Sequence, residues 1–233
     1  MARYRFSCMN IPSHASRSIV TRNAVSVGLA TGLYGISFGA LAVTSGFNFF
    51  QTQVLSLGLF SGASQFAVVG IIGAGGGSIA AIATSSLLGV RNGFYALSLS
   101  NLLKLKGYKK ILGGQLTIDE STAMAVANNN DENLGRWAFW ATGLSVFVFW
   151  NIATAIGAFG AQFVTDPKSL GLDAAVAAAF LALLWPRLSN LRIRTVALIA
   201  GILAFALTPF VQPGIPVLAS VLIAIIYGIR ERK

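Results

Sequence analysis

Between Arg22 and Lys104 the chain carries a single charged residue, Arg91. The intervening 81 residues, 23–103, are dominated by Gly, Ala, Ser, Thr, aliphatic and aromatic side chains. Such a run is too long for one buried core helix and too apolar for a solvated surface. At roughly 20 residues per pass it suffices for three or four traverses of a hydrocarbon layer. It also leaves one cation where charge is expensive. The rest of the chain agrees: 10% of it is charged, against about 25% in soluble domains. The expected fold is all-α, a polytopic integral membrane helix bundle. Residues 1–22 form a polar basic tail and residues 23–230 a single membrane domain. Within that domain, 23–103 is a first half, 104–136 a polar connector and 137–230 a second half.

The net charge of +10 raises nucleic acid as a partner. The basic residues, however, fall in short clusters between apolar spans: Arg17 with Arg22, then 104–110, 187–194 and 230–233. That is the distribution of topology-setting loops, whereas a nucleic-acid surface gathers cations on one folded face. Cys8 and His14 are the only residues of their kinds, and both lie in the tail. A disulfide framework, a His/Cys zinc site and a Cys–His nucleophile pair are therefore excluded from the membrane domain. The spans hold no paired carboxylates and no His/Ser set, so the chain does not read as an enzyme and calls for no cofactor. The glycines at 73–77 lack the strand and the following Lys-Ser/Thr of a phosphate loop.

Apolar runs and breakers place spans at about 24–43, 54–72, 78–103, 137–164, 174–185, 196–211 and 215–229. In the connector, residues 111–127 read as an amphipathic helix near the interface. The pairs Gly28/Gly32, Gly35/Gly39, Gly58/Gly62 and Gly89/Gly93 predict close helix contacts. Residues 35–44 resemble residues 156–165 at an offset of 121. The match suggests two inverted repeats, the usual build of secondary transporters, with chance as its rival because it is short and rich in Gly and Ala.

Loop charges bear on the crossing number. Seven crossings divide the basic residues outside the spans 11 against 5. If the third segment enters and leaves on one side, six crossings remain and the division becomes 15 against 1. The positive-inside rule favours the second arrangement. It implies a broken or re-entrant third segment with half-helices meeting near Gly89 to Gly93. A plain crossing with a snorkelling Arg91 is the alternative.

Four motifs in order carry a resemblance: Phe60-Ser-Gly-Ala-Ser-Gln-Phe66, Leu88-Gly-Val-Arg-Asn92, Ile118-Asp-Glu-Ser121, and Leu170-Gly-Leu-Asp-Ala-Ala175 running into Ala179-Phe-Leu-Ala-Leu183. Across roughly residues 23–190 the chain resembles the AzlC family, the large subunits of two-component branched-chain amino acid exporters. The resemblance implies a multi-pass secondary transporter of the bacterial inner membrane. It would export valine, leucine, isoleucine and methionine, driven by proton motive force, with a small four-span AzlD-type membrane subunit. A membrane channel or a non-transporting assembly subunit is the competing reading; it calls for a polar stripe along several spans, and none is evident. One departure stands out. Where the family often shows Asn-x-Arg-His, this chain reads Gly89-Val-Arg91-Asn92.

A zwitterionic amino acid needs a donor for its carboxylate, an acceptor for its ammonium and an apolar pocket. Arg91 is the natural carboxylate partner; helix-end carbonyls, Asp119 or Glu120 could hold it structurally instead. Residues 61–64, with Gly62, Ser64 and then Gln65, form a plausible break in a span. Broken helices offer free N–H and C=O groups to a substrate, while a buried Gln can equally serve packing. Asn92 adjoins Arg91, and Asn151 lies mid-span beside Trp150, where it could line the pathway or, as its simpler role, serve packing. By position, Trp137, Trp140, Trp150 and Trp185 read as interface anchors. Asp119 and Glu120 are the best protonatable pair next to the membrane, because a carboxylate in an apolar site can load and release a proton. A cap or a salt bridge is their simpler role.

Overall fold

The computed structural model describes residues 16–163, 181, 184, 185, 188 and 190–230. All regular structure among them is helical. Cys8, His14, Asp166, Lys168, Asp173, most of the fifth span and the family motif at 170–183, apart from Leu181, lie outside the described residues.

Three long helices form the frame: α1 (Arg17–Thr44), α4 (Ser78–Leu103) and α7 (Glu132–Ala161). Their 28, 26 and 30 residues give about 39–45 Å of helix. By length and composition α1 and α7 are long and apolar enough to cross a membrane. They run parallel in close contact: Gly28 lies on Ser145, Gly32 on Phe149, Gly35 on Ala153, and Gly39 on Thr154 and Ala158. Gly157 of α7 answers by lying on the backbone of Ile36. The predicted small-residue pairs of α1 are thus one seam. They remove side-chain volume so that two backbones touch.

α4 runs the other way. Its end meets the start of α7, where Arg136 Nε donates to the Leu102 carbonyl at 2.7 Å and Lys104 and Arg136 share Glu132 at 3.3 and 2.9 Å. At that same end Trp137 Nε1 donates to Thr21 of α1 at 3.0 Å.

Between the long helices lie two pairs of short ones. The first pair is α2 (Phe49–Gly58) and α3 (Gly62–Gly73). It leaves from the far end of α1 and returns there, with Gly73 against Ser45. The second pair is α5 (Tyr108–Gln115) and α6 (Asp119–Ala127). It leaves from the end of α4 and returns to the start of α7, with Gly135 beside Ala125. Each pair turns near the middle of the frame. The turn at 116–118 sits against Gly143, eleven residues or about 16 Å along α7. Gly62, just past the turn at 59–61, packs on Trp150, which lies about 16 Å from the other end of α7. Gln115 Nε2 ties the turns together by donating to the carbonyls of Leu57 at 2.8 Å and Gly58 at 3.3 Å.

The order is therefore long helix, four residues, short helix, three residues, short helix, four residues, and then the same again from α4 in the opposite direction. α3 packs along α4 as α6 packs along α7. This inverted repeat has a spacing of under sixty residues. It is not the offset of 121 read from sequence, whose two members are the ends of parallel α1 and α7.

Two further expectations are corrected. The third segment is not broken: α4 is continuous through Gly89 and Gly93. It contains no proline, and a glycine costs a helix only about 1 kcal/mol. The segment that turns back is the second span, at residues 59–61. Nor do residues 111–127 form one surface helix. They break at 116–118 and reach inward along α7.

Two more helices, α8 (Leu191–Leu207) and α9 (Ile215–Arg230), pack on each other, and α9 also meets α4. Their connecting turn meets Gly76 through the Pro213 carbonyl. Arg192 and Arg194 consequently share an end of the bundle with Arg17, Arg22, Lys104, Lys106, Lys109, Lys110 and Arg136. The opposite end, at 45–48, 74–77, 162–163 and 208–214, carries no charge among the described residues.

Candidate functional site

The two turns present helix beginnings at mid-height. α3 starts after Ser61, an extended residue whose side chain makes no capping bond. The first N–H groups of α3 therefore have no partner within the helix. α6 starts after Ile118. Here Ser121 Oγ accepts from the Ile118 N–H at 3.1 Å and donates to the Leu116 carbonyl at 2.6 Å. These bonds fix a break that local sequence does not announce. The first turn of α6 holds Asp119 and Glu120, carboxylates placed where the helix dipole favours them.

Arg91, midway along α4, faces that turn. Its Nη1 donates to Asp119 Oδ2 at 2.7 Å, with the two side chains 30% and 27% exposed. Such a partly desolvated, charge-assisted bond is among the stronger kinds. Glu120 lies beside it, close to Thr31 of α1.

A cavity of about 160 Å³ opens on this group, near the ~150 Å³ that encloses a benzene molecule. Its lining combines Ser61, Gly62, Arg91, Asn92, Asp119 and Glu120 with Phe66, Val146 and Trp150, and with Thr31 and Tyr34 from α1. Buried atoms without a hydrogen-bond partner among the lining side chains include Ser61 Oγ, Arg91 Nε, Asn92 Oδ1 and Trp150 Nε1. Leaving such a group unsatisfied costs about 1–3 kcal/mol, so the wall is furnished for a polar occupant.

Gly62, Arg91, Asn92, Asp119 and Glu120 are thus brought together. The other three sequence candidates are not. Ser64 Oγ donates to the Ser85 carbonyl at 3.0 Å, joining α3 to α4. Gln65 is fully buried and donates to the Ser56 carbonyl at 3.2 Å. Asn151 donates to Phe147 of its own helix at 2.8 Å. Trp150 is no interface anchor: it is 5% exposed and packs on the touching pair Phe38 and Phe66 at ring distances of 6.0 and 6.4 Å. Its place in the middle of a 30-residue helix was the available signal. Trp137, with Arg17 over its ring at 5.4 Å, is where an anchor belongs. Ser61 and Phe66 lie in the first family motif, whereas Val146, Thr31 and Tyr34 carried no signal beyond an apolar or small-residue context. Among the described residues no three His, Cys, Asp or Glu side chains cluster.

Comparison with known proteins follows the same residues. The model of the family described as AzlC protein matches residues 26–164, which hold every side chain named around the cavity. The chain belongs to the AzlC family. An uncharacterized membrane protein of Archaeoglobus fulgidus is 30% identical over 178 residues, covering 73% of this chain and 74% of its own. An uncharacterized membrane protein of Helicobacter pylori is 24% identical over 163 residues, covering 69% and 71%. No solved structure matches. Family, relatives and apolar helices agree on a membrane protein.

Proposed function

We propose that this AzlC-family chain is a secondary transporter, not an enzyme, that exports branched-chain amino acids. Its range covers valine, leucine, isoleucine and methionine. It is coupled to protons and acts as the large subunit beside a small AzlD-type membrane subunit. It lies multi-pass in the bacterial inner membrane, with the basic end cytoplasmic by the positive-inside rule. α1, α4 and α7 stand across the bilayer, while the two short-helix pairs enter halfway from opposite faces. Their irregular turns are covered by protein, as backbone at that depth must be.

The observation that carries this reading is the Arg91–Asp119 ion pair at mid-height, opening on a small cavity with an aromatic and aliphatic wall. Arg91 and the uncapped start of α3 suit a carboxylate. The acidic start of α6 suits an ammonium. Phe66, Val146 and Trp150 suit a short apolar side chain. A cavity of this size accepts a small amino acid rather than a peptide.

The test is valine efflux from cells loaded with valine-containing dipeptides, with this chain expressed alone and beside a candidate small subunit. Faster efflux than in cells lacking the chain is expected. No efflux in either arm sinks the reading. Val146, 2% exposed on the cavity wall, supplies a specificity test. Val146→Ala enlarges the pocket, and a missing methylene is worth about 1–3 kcal/mol. The leucine-to-valine preference should rise by roughly tenfold in competition assays.

A further inference from the structure

We infer that the two carboxylates of α6 have different tasks: Asp119 is the standing counter-ion of Arg91, and Glu120 is the site for which a proton and the substrate's ammonium compete. This rests on the amino-acid transport reading above and divides the labour within its site.

The argument begins with the charge in the cavity. Arg91 from α4 brings one positive charge, and Asp119 and Glu120 bring two negative ones. The remaining titratable lining group is the Tyr34 phenol of α1, and the lining residues of α3 and α7 have none. One carboxylate is in excess. Arg91 holds Asp119 at 2.7 Å, and Glu120 belongs to no ion pair among the described residues. A carboxylate left uncompensated in a partly desolvated cavity is neutralised by whatever cation is at hand. Two candidates exist, a proton and an ammonium. Both act on the same carboxylate: a protonated Glu120 offers no charge to an ammonium, and a Glu120 paired with an ammonium holds its proton less well, so each opposes the other.

The geometry lets Asp119 stay in place while this exchange occurs. Arg91 Nε is buried and has no partner, so the guanidinium offers a second edge to the substrate carboxylate while Nη1 remains on Asp119. The start of α3 supports the same carboxylate. In the inverted repeat, Gly62 and Ala63 occupy the positions that Asp119 and Glu120 occupy in α6. The α3 terminus therefore carries no carboxylate of its own. On binding, the Glu120 carboxyl releases its proton to solvent and its carboxylate pairs with the arriving ammonium. One proton leaves for each amino acid that binds, which is antiport.

The test uses the full chain reconstituted in lipid nanodiscs, followed by infrared titration and by valine binding. On acidification the wild type should gain the band of one protonated carboxyl group. Glu120→Gln should lack that band, and Glu120→Asp should keep it with a shifted midpoint. Valine should remove the band from the wild type. Valine affinity should weaken about tenfold per pH unit below the midpoint, as linkage to one proton requires. In Glu120→Gln it should be weaker and flat with pH. A band that persists in Glu120→Gln, or valine binding that leaves the wild-type band unchanged, overturns the assignment. A wild type that titrates through Glu120 yet binds no valine supports the proton site alone and overturns the ammonium half together with the amino-acid reading.

Discussion

Arg91→Ala should lower valine efflux by about a hundredfold or more, while the protein still reaches the membrane fraction at full length. The ion pair predicts both parts. Removing the guanidinium leaves Asp119 and Glu120 side by side with no cation in the cavity, and the substrate carboxylate then meets two like charges. A hundredfold corresponds to ~2.7 kcal/mol, within the range of about 1.5–3 kcal/mol for hydrogen bonds to charged groups. The fold should survive. The pair is roughly a third exposed on each side, so solvent offsets much of the cost of an unpaired carboxylate. Arg91→Lys should retain a measurable fraction of transport, because it keeps the charge but loses the planar fork that can serve Asp119 and a second carboxylate together. The decisive comparison adds Asp119→Asn to Arg91→Ala. If Arg91 is only structural, the double variant should recover both thermal stability and efflux. If it binds substrate, stability should recover and efflux should not.

Arg91 was legible because a lone cation in an 81-residue apolar block has few explanations. Asp119 and Glu120 were legible by elimination among seven acidic residues. What could not be read was that these groups meet. The break at 116–118 is Leu-Thr-Ile, with no glycine or proline to mark it. Two sets of side-chain bonds hold it: local ones from Ser121 to the chain at 116–118, and tertiary ones from Gln115 to the carbonyls of Leu57 and Gly58. The break at 59–61 was legible, because the small residues that follow it make a span easy to interrupt. Gly89 and Gly93 misled for the converse reason. They sit in an intact helix, where a Cβ at Gly89 would meet the Ser64 hydroxyl only at an ordinary contact distance and one at Gly93 would meet nothing within 4 Å; composition cannot distinguish such glycines from a break. Loop charges pointed to a segment that turns back, and one does, one element earlier than expected. A charge count constrains parity along the chain and cannot say which apolar run supplies the turn.

The seam between α1 and α7 leads to the second large effect. Gly157→Ala should lower the melting temperature in detergent by roughly 2–12 °C, whereas Gly160→Ala, three residues further along the same helix, should change it little. A Cβ at Gly157 would overlap the Ile36 carbonyl group, which is backbone and cannot rotate away. The helices must separate, and overpacking of this kind costs about 1–3 kcal/mol, sometimes more. For a chain of this size each kcal/mol moves the midpoint by roughly 2–4 °C. A Cβ at Gly160 meets nothing within 4 Å, and alanine there gains up to about 1 kcal/mol of helix propensity. Gly39→Ala should behave like Gly157→Ala, since its Cβ would overlap the Thr154 carbonyl. The two disruptive variants should also lose transport. Thr31 and Tyr34 on α1 and Val146 and Trp150 on α7 line the same cavity, so a wider seam pulls its walls apart. Equal melting temperatures for Gly157→Ala and Gly160→Ala would mean that the helices are not held at backbone contact. The cavity would then owe its width to the turns bridged by Gln115 rather than to the glycine seam.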